Sequence, residues 1–330
     1  MASQEALPLG WVIDTATPPE QIAPIAALAE ELGYAEILVA EDYFFGGGFS
    51  VALAALNATQ RVPVGLGIVS ALSRHPAVLA MEIAAVSRLF PGRFRPGISL
   101  GLPSWVRQMG YNPAAPATVV RECLTSVRAL LSGEELTATG QYFSSSAIKL
   151  VHPPKEEVPL YLGVSGPRLL HVSGKYAEGT LINLTATPAY VSWAREQVTL
   201  AMRNAGRTNA HRFPVIALYS VDRDGSKAKE ATRGFLSVVL ALLGPTAITD
   251  LYGISEQLAD MIARGGADTV AREMPLAWIE DMTISGTPEE CAAKMHAFLA
   301  AGADALLLFP QGPEEMARFT ASEVFPLLQA

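Results

Sequence analysis

Cysteine, charge and long apolar runs are all scarce in this chain. Two of its 330 residues are cysteines, Cys123 and Cys291. Both fall in segments that read as amphipathic helices, where a small thiol packs as a buried hydrophobe, so no disulfide is expected. Charged residues make up 17% of the chain, with 24 Lys plus Arg against 32 Asp plus Glu and a net charge of -8. They form no long like-charge run, so the basic footprint of a nucleic-acid partner is missing. No apolar stretch approaches the roughly 20 residues needed to span a bilayer. Met1 to Gly10 also lacks the basic segment and apolar run of a secretory leader. The expectation is a cytoplasmic protein with neither a nucleic acid nor a membrane as partner.

Several chemistries are absent by spacing. The five histidines, His75, His152, His171, His211 and His296, make no i, i+4 pair and no carboxylate cluster of metal-ligand form, so no metal is expected. Gly65-Leu66-Gly67 lacks the third glycine of a dinucleotide fingerprint, and no P-loop occurs. No lysine directly follows a strand-like run, which weakens Schiff-base chemistry, and no Gly-x-Ser-x-Gly elbow is present.

What the chain does contain is apolar residues, which are half of it. A chain of about 300 residues can bury roughly three quarters of its unfolded surface, so one large core is feasible. Eight apolar, β-branched runs alternate with helical patterns: Leu9 to Ile13, Glu36 to Ala40, Val62 to Gly67, Arg93 to Ser99, Val158 to Gly163, Gly179 to Asn183, Val215 to Val221 and Ala305 to Phe309. Continuous apolar strands separated by helices suit a parallel sheet covered on both faces, and eight such units point to an α/β fold of the (β/α)8 TIM-barrel type. An open doubly wound sheet is the alternative. Thr287-Pro288-Glu289-Glu290 and Gly302 punctuate one helix, and Thr17-Pro18-Pro19-Glu20 and Gly33 another. The stretches 134–159, with a hairpin turn at Gly140-Gln141, and 244–285 read as insertions into a single domain over residues 1–330.

In such a barrel the site is built just beyond the C-terminal ends of the strands. There the sequence places Asp14-Thr15, Glu41-Asp42-Tyr43, Ile68-Val69-Ser70 with Arg74-His75, and Gly101 with Ser104. Asp14, Glu41 and Asp42 either cap helices and bind loops or converge on a ligand. Gly163-Val164-Ser165-Gly166-Pro167 leaves a strand and opens a helix, a turn in which small residues let backbone N–H groups approach a phosphate; an ordinary tight turn has the same composition. Arg74-His75-Pro76 is a helix entry whose side chains either cap or reach a ligand, and Phe44-Phe45-Gly46-Gly47-Gly48 has the make-up of a mobile substrate loop or a solvent turn.

From Gly65 through Ile68-Val69-Ser70 to Arg74-His75-Pro76-Ala77 the chain resembles the luciferase-like superfamily, and within it the methylenetetrahydromethanopterin reductase branch that uses the deazaflavin coenzyme F-420. The likeness continues through Gly97 to Gly101, the Gly163 to Pro167 turn, Ala177-Glu178-Gly179 to Asn183, and Gly286 to Glu290. It implies an oxidoreductase whose ring lies over the barrel mouth, backed by a non-prolyl cis peptide at Gly67-Ile68. Cofactor contacts would come from Gly67, Ile68, Val69, Gly101, Gly163, Val164, Ser165, Gly166 and Asn183. Asp14, Phe44, Arg74 and His75 would meet a small-molecule substrate, and the superfamily likeness suggests a homodimer. Two departures bear on protonation. Tyr43 stands where relatives commonly have His, and Leu102 where many have an acid, which leaves Asp42, Tyr43 or Glu41 as proton donor. Reduction of an activated C=C, C=N or C=O is the first expectation. FMN with monooxygenase chemistry is the alternative, and a non-catalytic barrel acting as a binding partner a second one.

Overall fold

A computed structural model describes residues 7–312 and 315–329. Its strands, in chain order, are β1 (Leu9–Val12), β2 (Glu36–Val39), β3 (Val64–Ser70), β4 (Phe94–Ser99), β5 (Leu136–Thr139), β6 (Ser144–Ile148), β7 (Tyr161–Gly163), β8 (Gly179–Leu181), β9 (Pro214–Val221), β10 (Ile284–Gly286) and β11 (Ala305–Pro310). Parallel pairing runs β11, β1, β2, β3, β4, β7, β8, and β9 lies beside β11. Parallel bridges Gly179 to Arg212 and Ile182 to Val215 join β8 to β9 and close the ring. The result is a (β/α)8 barrel in which every sequence-expected strand takes part. β5 and β6 form the antiparallel hairpin around Gly140-Gln141.

Two differences from the sequence reading matter. β10 is a ninth strand that pairs with the far half of β9, Ile284 opposite Tyr219 and Gly286 opposite Val221. Three residues are too few for a periodic pattern to register. β3 also continues past Gly67 to Ser70, because its register against β4 jumps between Leu66 and Val69 and so absorbs a bulge. Residues 244–282 hold the helices Ala247–Tyr252, Ser255–Glu273 and Leu276–Met282. The second is two helices meeting at Gly265 and Gly266, whose dihedrals are non-helical.

Two apolar clusters hold the molecule together. The larger lies between the sheet and the outer helices and includes Ile22, Leu56, Ile83 and Leu124. The smaller joins residues on the opposite face of the sheet, Val12, Leu38, Leu181, Leu218 and Leu307, to Leu236 and Leu258 of the later helices. Below those leucines, buried Glu36 on β2 pairs with Arg95 on β4 and with Arg212 at the start of β9, 3.4 Å away. Arg212 also donates to the Tyr161 hydroxyl at 3.1 Å. A contact from β2 to β9 crosses the lumen, so this charged layer seals the N-terminal end.

Helix ends follow their sequence signals. Thr287 caps Pro288–Ala300 in a reciprocal capping box with Glu290, and Gly302 follows at φ 104°. Both cysteines are free and buried. No described helix is long and apolar enough to cross a membrane.

Candidate active site

Two adjoining hollows open beyond the C-terminal ends of the strands, with volumes of about 380 and 410 Å³. They share Asp42, Gly67, Leu102, Trp105, Asn183, Ile216 and Leu243 in their walls, so the two are contiguous.

The first hollow runs from the β3 bulge to the turn after β7. The peptide bond Gly67–Ile68 is cis, as is Tyr43–Phe44. Gly163 lies against Ile68 so closely that a Cβ there would sit 2.5 Å from Ile68 Cγ2, and a Cβ on Gly67 would sit 2.5 Å from Leu181 Cδ2. Glycine at both positions therefore keeps the floor of the hollow low. Gly166 faces open space and is the N-cap of the helix Pro167–Tyr176. The Tyr190 hydroxyl donates to the Ser165 carbonyl at 2.5 Å. Because C=O and N–H point oppositely across a trans peptide, this tie turns the Gly166 N–H away from the core. Pro167 adds no donor of its own, and the helix start carries partial positive charge. The Gly166 N–H and the helix start thus face the hollow without a side-chain cap.

The carboxylates at the mouth differ in state. Asp42 is pushed above the ordinary 3.8 by burial, an effect opposed by a 3.1 Å hydrogen bond from Thr15 and reinforced by nearby Asp14. Tyr43 is also raised, mainly by burial, while the Ser70 and Ser73 hydroxyls pull the other way. Glu41 is fully engaged. Arg74 grips it with two bonds of 2.7 and 2.8 Å, and Gly48 N–H donates at 3.0 Å. Asp14 accepts from Ala16 N–H at 2.9 Å and lines the second hollow.

Of the sequence-expected residues, Gly67, Ile68, Gly101, Gly163, Val164, Ser165, Gly166 and Asn183 line the first hollow together with Glu41, Asp42 and Tyr43. Asn183 Oδ1 is occupied by the backbone and side chain of Thr185, at 3.1 and 3.0 Å. Four expected residues, Val69, Arg74, His75 and Phe44, lie outside the walls of both hollows. Val69 lies past the bulge, paired with Ile98 and buried away from the hollow. Arg74 spends its guanidinium on Glu41 and, at 2.9 Å, on Glu82, over the Phe49 ring. His75 caps its helix, Nδ1 accepting from Ala77 N–H at 3.1 Å, and its Nε2 meets the Ser144 carbonyl. Phe44 points to solvent at 66% exposure, and its neighbour Phe45 lines the second hollow instead. Trp105, Ile216 and the wall residues Phe235, Val239 and Leu243 carried no such expectation. Trp105 enters through a short helix, Pro103–Gln108, six residues beyond β4. Among the described residues no cluster suited to a metal ion occurs.

Comparisons with known proteins match most of the chain. A 5,10-methylenetetrahydromethanopterin reductase of Methanolobus tindarius is 26% identical over 302 residues, 89% of this chain and 92% of the relative. A coenzyme F-420-dependent glucose-6-phosphate dehydrogenase of Nakamurella multipartita is 25% identical over 331 residues, 94% of this chain and 93% of the relative. The solved structure of the coenzyme F-420-dependent tetrahydromethanopterin reductase from Methanopyrus kandleri superposes with a TM-score of 0.84. At 24% identity, covering 97% of this chain and 99% of that one, it bears on the fold alone. The luciferase-like monooxygenase family model matches residues 8–305, and with the mouth of the barrel arranged as described, the chain belongs to that family of oxidoreductases.

Proposed function

We propose that the protein is a coenzyme F-420-dependent oxidoreductase that moves a hydride between the deazaflavin and an activated C=C, C=N or C=O of a small organic substrate. The observation that carries this reading is the first hollow itself, a glycine-floored slot backed by the 67–68 bulge and ending at the Gly166 helix start. A planar ring with an anionic tail fits both ends of such a slot, and the cofactor is part of the name of two of the relatives above.

When bound, the reduced deazaflavin supplies a hydride, two electrons with a proton, to an electrophilic carbon. The chain's residues do the rest. Gly166 and the helix start would hold the tail phosphate through N–H groups. Ile68, seated on Gly163, would support the ring from below and keep water from that face. Asp42 would give its proton to the second atom of the double bond as the first, a carbon, accepts hydride, and take one back in the reverse direction; burial favours the protonated form that this needs. Glu41, locked by Arg74, would hold the mouth loop rather than move a proton. Tyr43 would stay neutral beside them.

Fluorescence titration of the purified protein with coenzyme F-420 and with FMN tests the reading. Preferential binding of the deazaflavin, and substrate-dependent oxidation of its reduced form without oxygen, is expected. Binding of FMN alone with oxygen uptake would assign a monooxygenase instead, and binding of neither would leave a non-catalytic barrel.

A further inference from the structure

The second hollow is walled by apolar side chains that the fold leaves uncovered. The helix Gly225–Leu243 is apolar on two sides. Leu236 and Leu240 are fully buried, whereas Phe235, Val238, Val239 and Leu242 face the hollow at the i, i+3, i+4, i+7 spacing of one helix stripe. Phe235 packs on the Phe309 ring with centroids 5.1 Å apart, whereas further along the stripe Val238 is 50% and Leu242 44% exposed. On the other wall Phe45, 55% exposed, leans on Trp105 with ring centroids 6.4 Å apart. The polar groups, Asp14, Thr15, Asp42 and Asn183, all follow the ends of strands β1, β2 and β8.

Charge narrows the occupant further. Neither hollow has a Lys, Arg or His in its lining, and the carboxylates present are Asp14, Asp42 and the already paired Glu41. An anionic substrate would enter an apolar chamber beside Asp14 with no cationic side chain to meet it. A polyhydroxylated one would leave most of its hydroxyls unpaired against hydrocarbon. We infer that the substrate is an uncharged, largely hydrocarbon carbonyl compound or the matching alcohol, its oxygen toward Asp42 and its hydrocarbon body along the Phe235–Leu242 stripe. This rests on the oxidoreductase reading for the reaction but not for the binding.

Calorimetric titration with methyl ketones from 2-butanone to 2-decanone, and with glucose 6-phosphate, on the free protein and on protein loaded with coenzyme F-420, tests the two separately. Ketone affinity should rise about fourfold per added methylene until the hollow is full, and the sugar phosphate should not bind. Val238→Arg, at a half-exposed position, should weaken the longest bound ketone at least tenfold while the cofactor titration is unchanged. A flat response to chain length, or tight binding of glucose 6-phosphate, overturns the inference. Ketones that bind as expected but never oxidise the loaded reduced cofactor would sustain the binding part of the inference and sink the oxidoreductase reading on which its reaction part rests.

Discussion

Tyr190→Phe isolates the geometry of the anion seat. The Tyr190 side chain is fully buried near the start of the helix Pro188–Asn204, and its hydroxyl makes one hydrogen bond, to the Ser165 carbonyl at 2.5 Å. Removing that oxygen changes no residue in the wall of the hollow. It leaves the Ser165 carbonyl without its partner, a loss of about 1 to 3 kcal/mol for a buried group, which the turn can relieve by rotating the 165–166 peptide. Rotation withdraws the Gly166 N–H and turns an oxygen toward the phosphate. One hydrogen bond to a charged group is worth about 1.5 to 3 kcal/mol, so cofactor affinity should fall by roughly 10- to 150-fold. Fluorescence titration gives the dissociation constant, and urea unfolding separates a global loss of stability from the local one. Reduced stability with cofactor affinity within twofold of the parent would refute the argument, since Tyr190 would then be packing alone.

Other substitutions probe the remaining links. Asp42→Asn should lower turnover by about 10²- to 10⁴-fold with cofactor affinity little changed. Because folding raises the Asp42 pKa, its stabilising contribution is complete below 3.8 and is lost as pH rises through the folded value. The Asn variant should therefore match the parent in acid and be the more stable at neutral pH, and its ketone reduction should lose the decline that the parent shows as Asp42 ionises. Arg74→Ala strands Glu41, whose side chain is 8% exposed, and should cost about 3 kcal/mol by urea unfolding, at the low end for a broken buried pair because Arg74 is itself 22% exposed. Gly163→Ala drives a methyl to 2.5 Å from Ile68 and lifts that side chain into the slot. It should cost about 1 to 3 kcal/mol in overpacking and weaken cofactor binding, and adding Ile68→Ala should recover part of both.

Much of this arrangement is legible in the sequence because strand runs and helix punctuation are local signals. The barrel strands are short, nearly unbroken apolar runs, and the turn at 163–167 follows one of them directly. What is not local is where a side chain points. Arg74 and His75 sit beside the mouth in sequence, but Arg74 finds its partner 33 positions earlier at Glu41, and His75 turns back onto its own helix. Val69 is lost from the site by the register jump in β3, which shifts it to the other face. The substrate-side wall was readable in part. A helix with Leu236 and Leu240 on one side and Phe235, Val239 and Leu242 on another is apolar on two sides, and the second of these lines the hollow.

The bond from Glu36 across to Arg212 makes the barrel a cup rather than a pipe. With the base stoppered by charge, every arriving molecule and every departing product passes over the same rim. If Asp42 is the proton donor proposed above, it would likewise trade its protons with bulk water from above, so a bulky compound lodged at the rim would halt chemistry and proton exchange together.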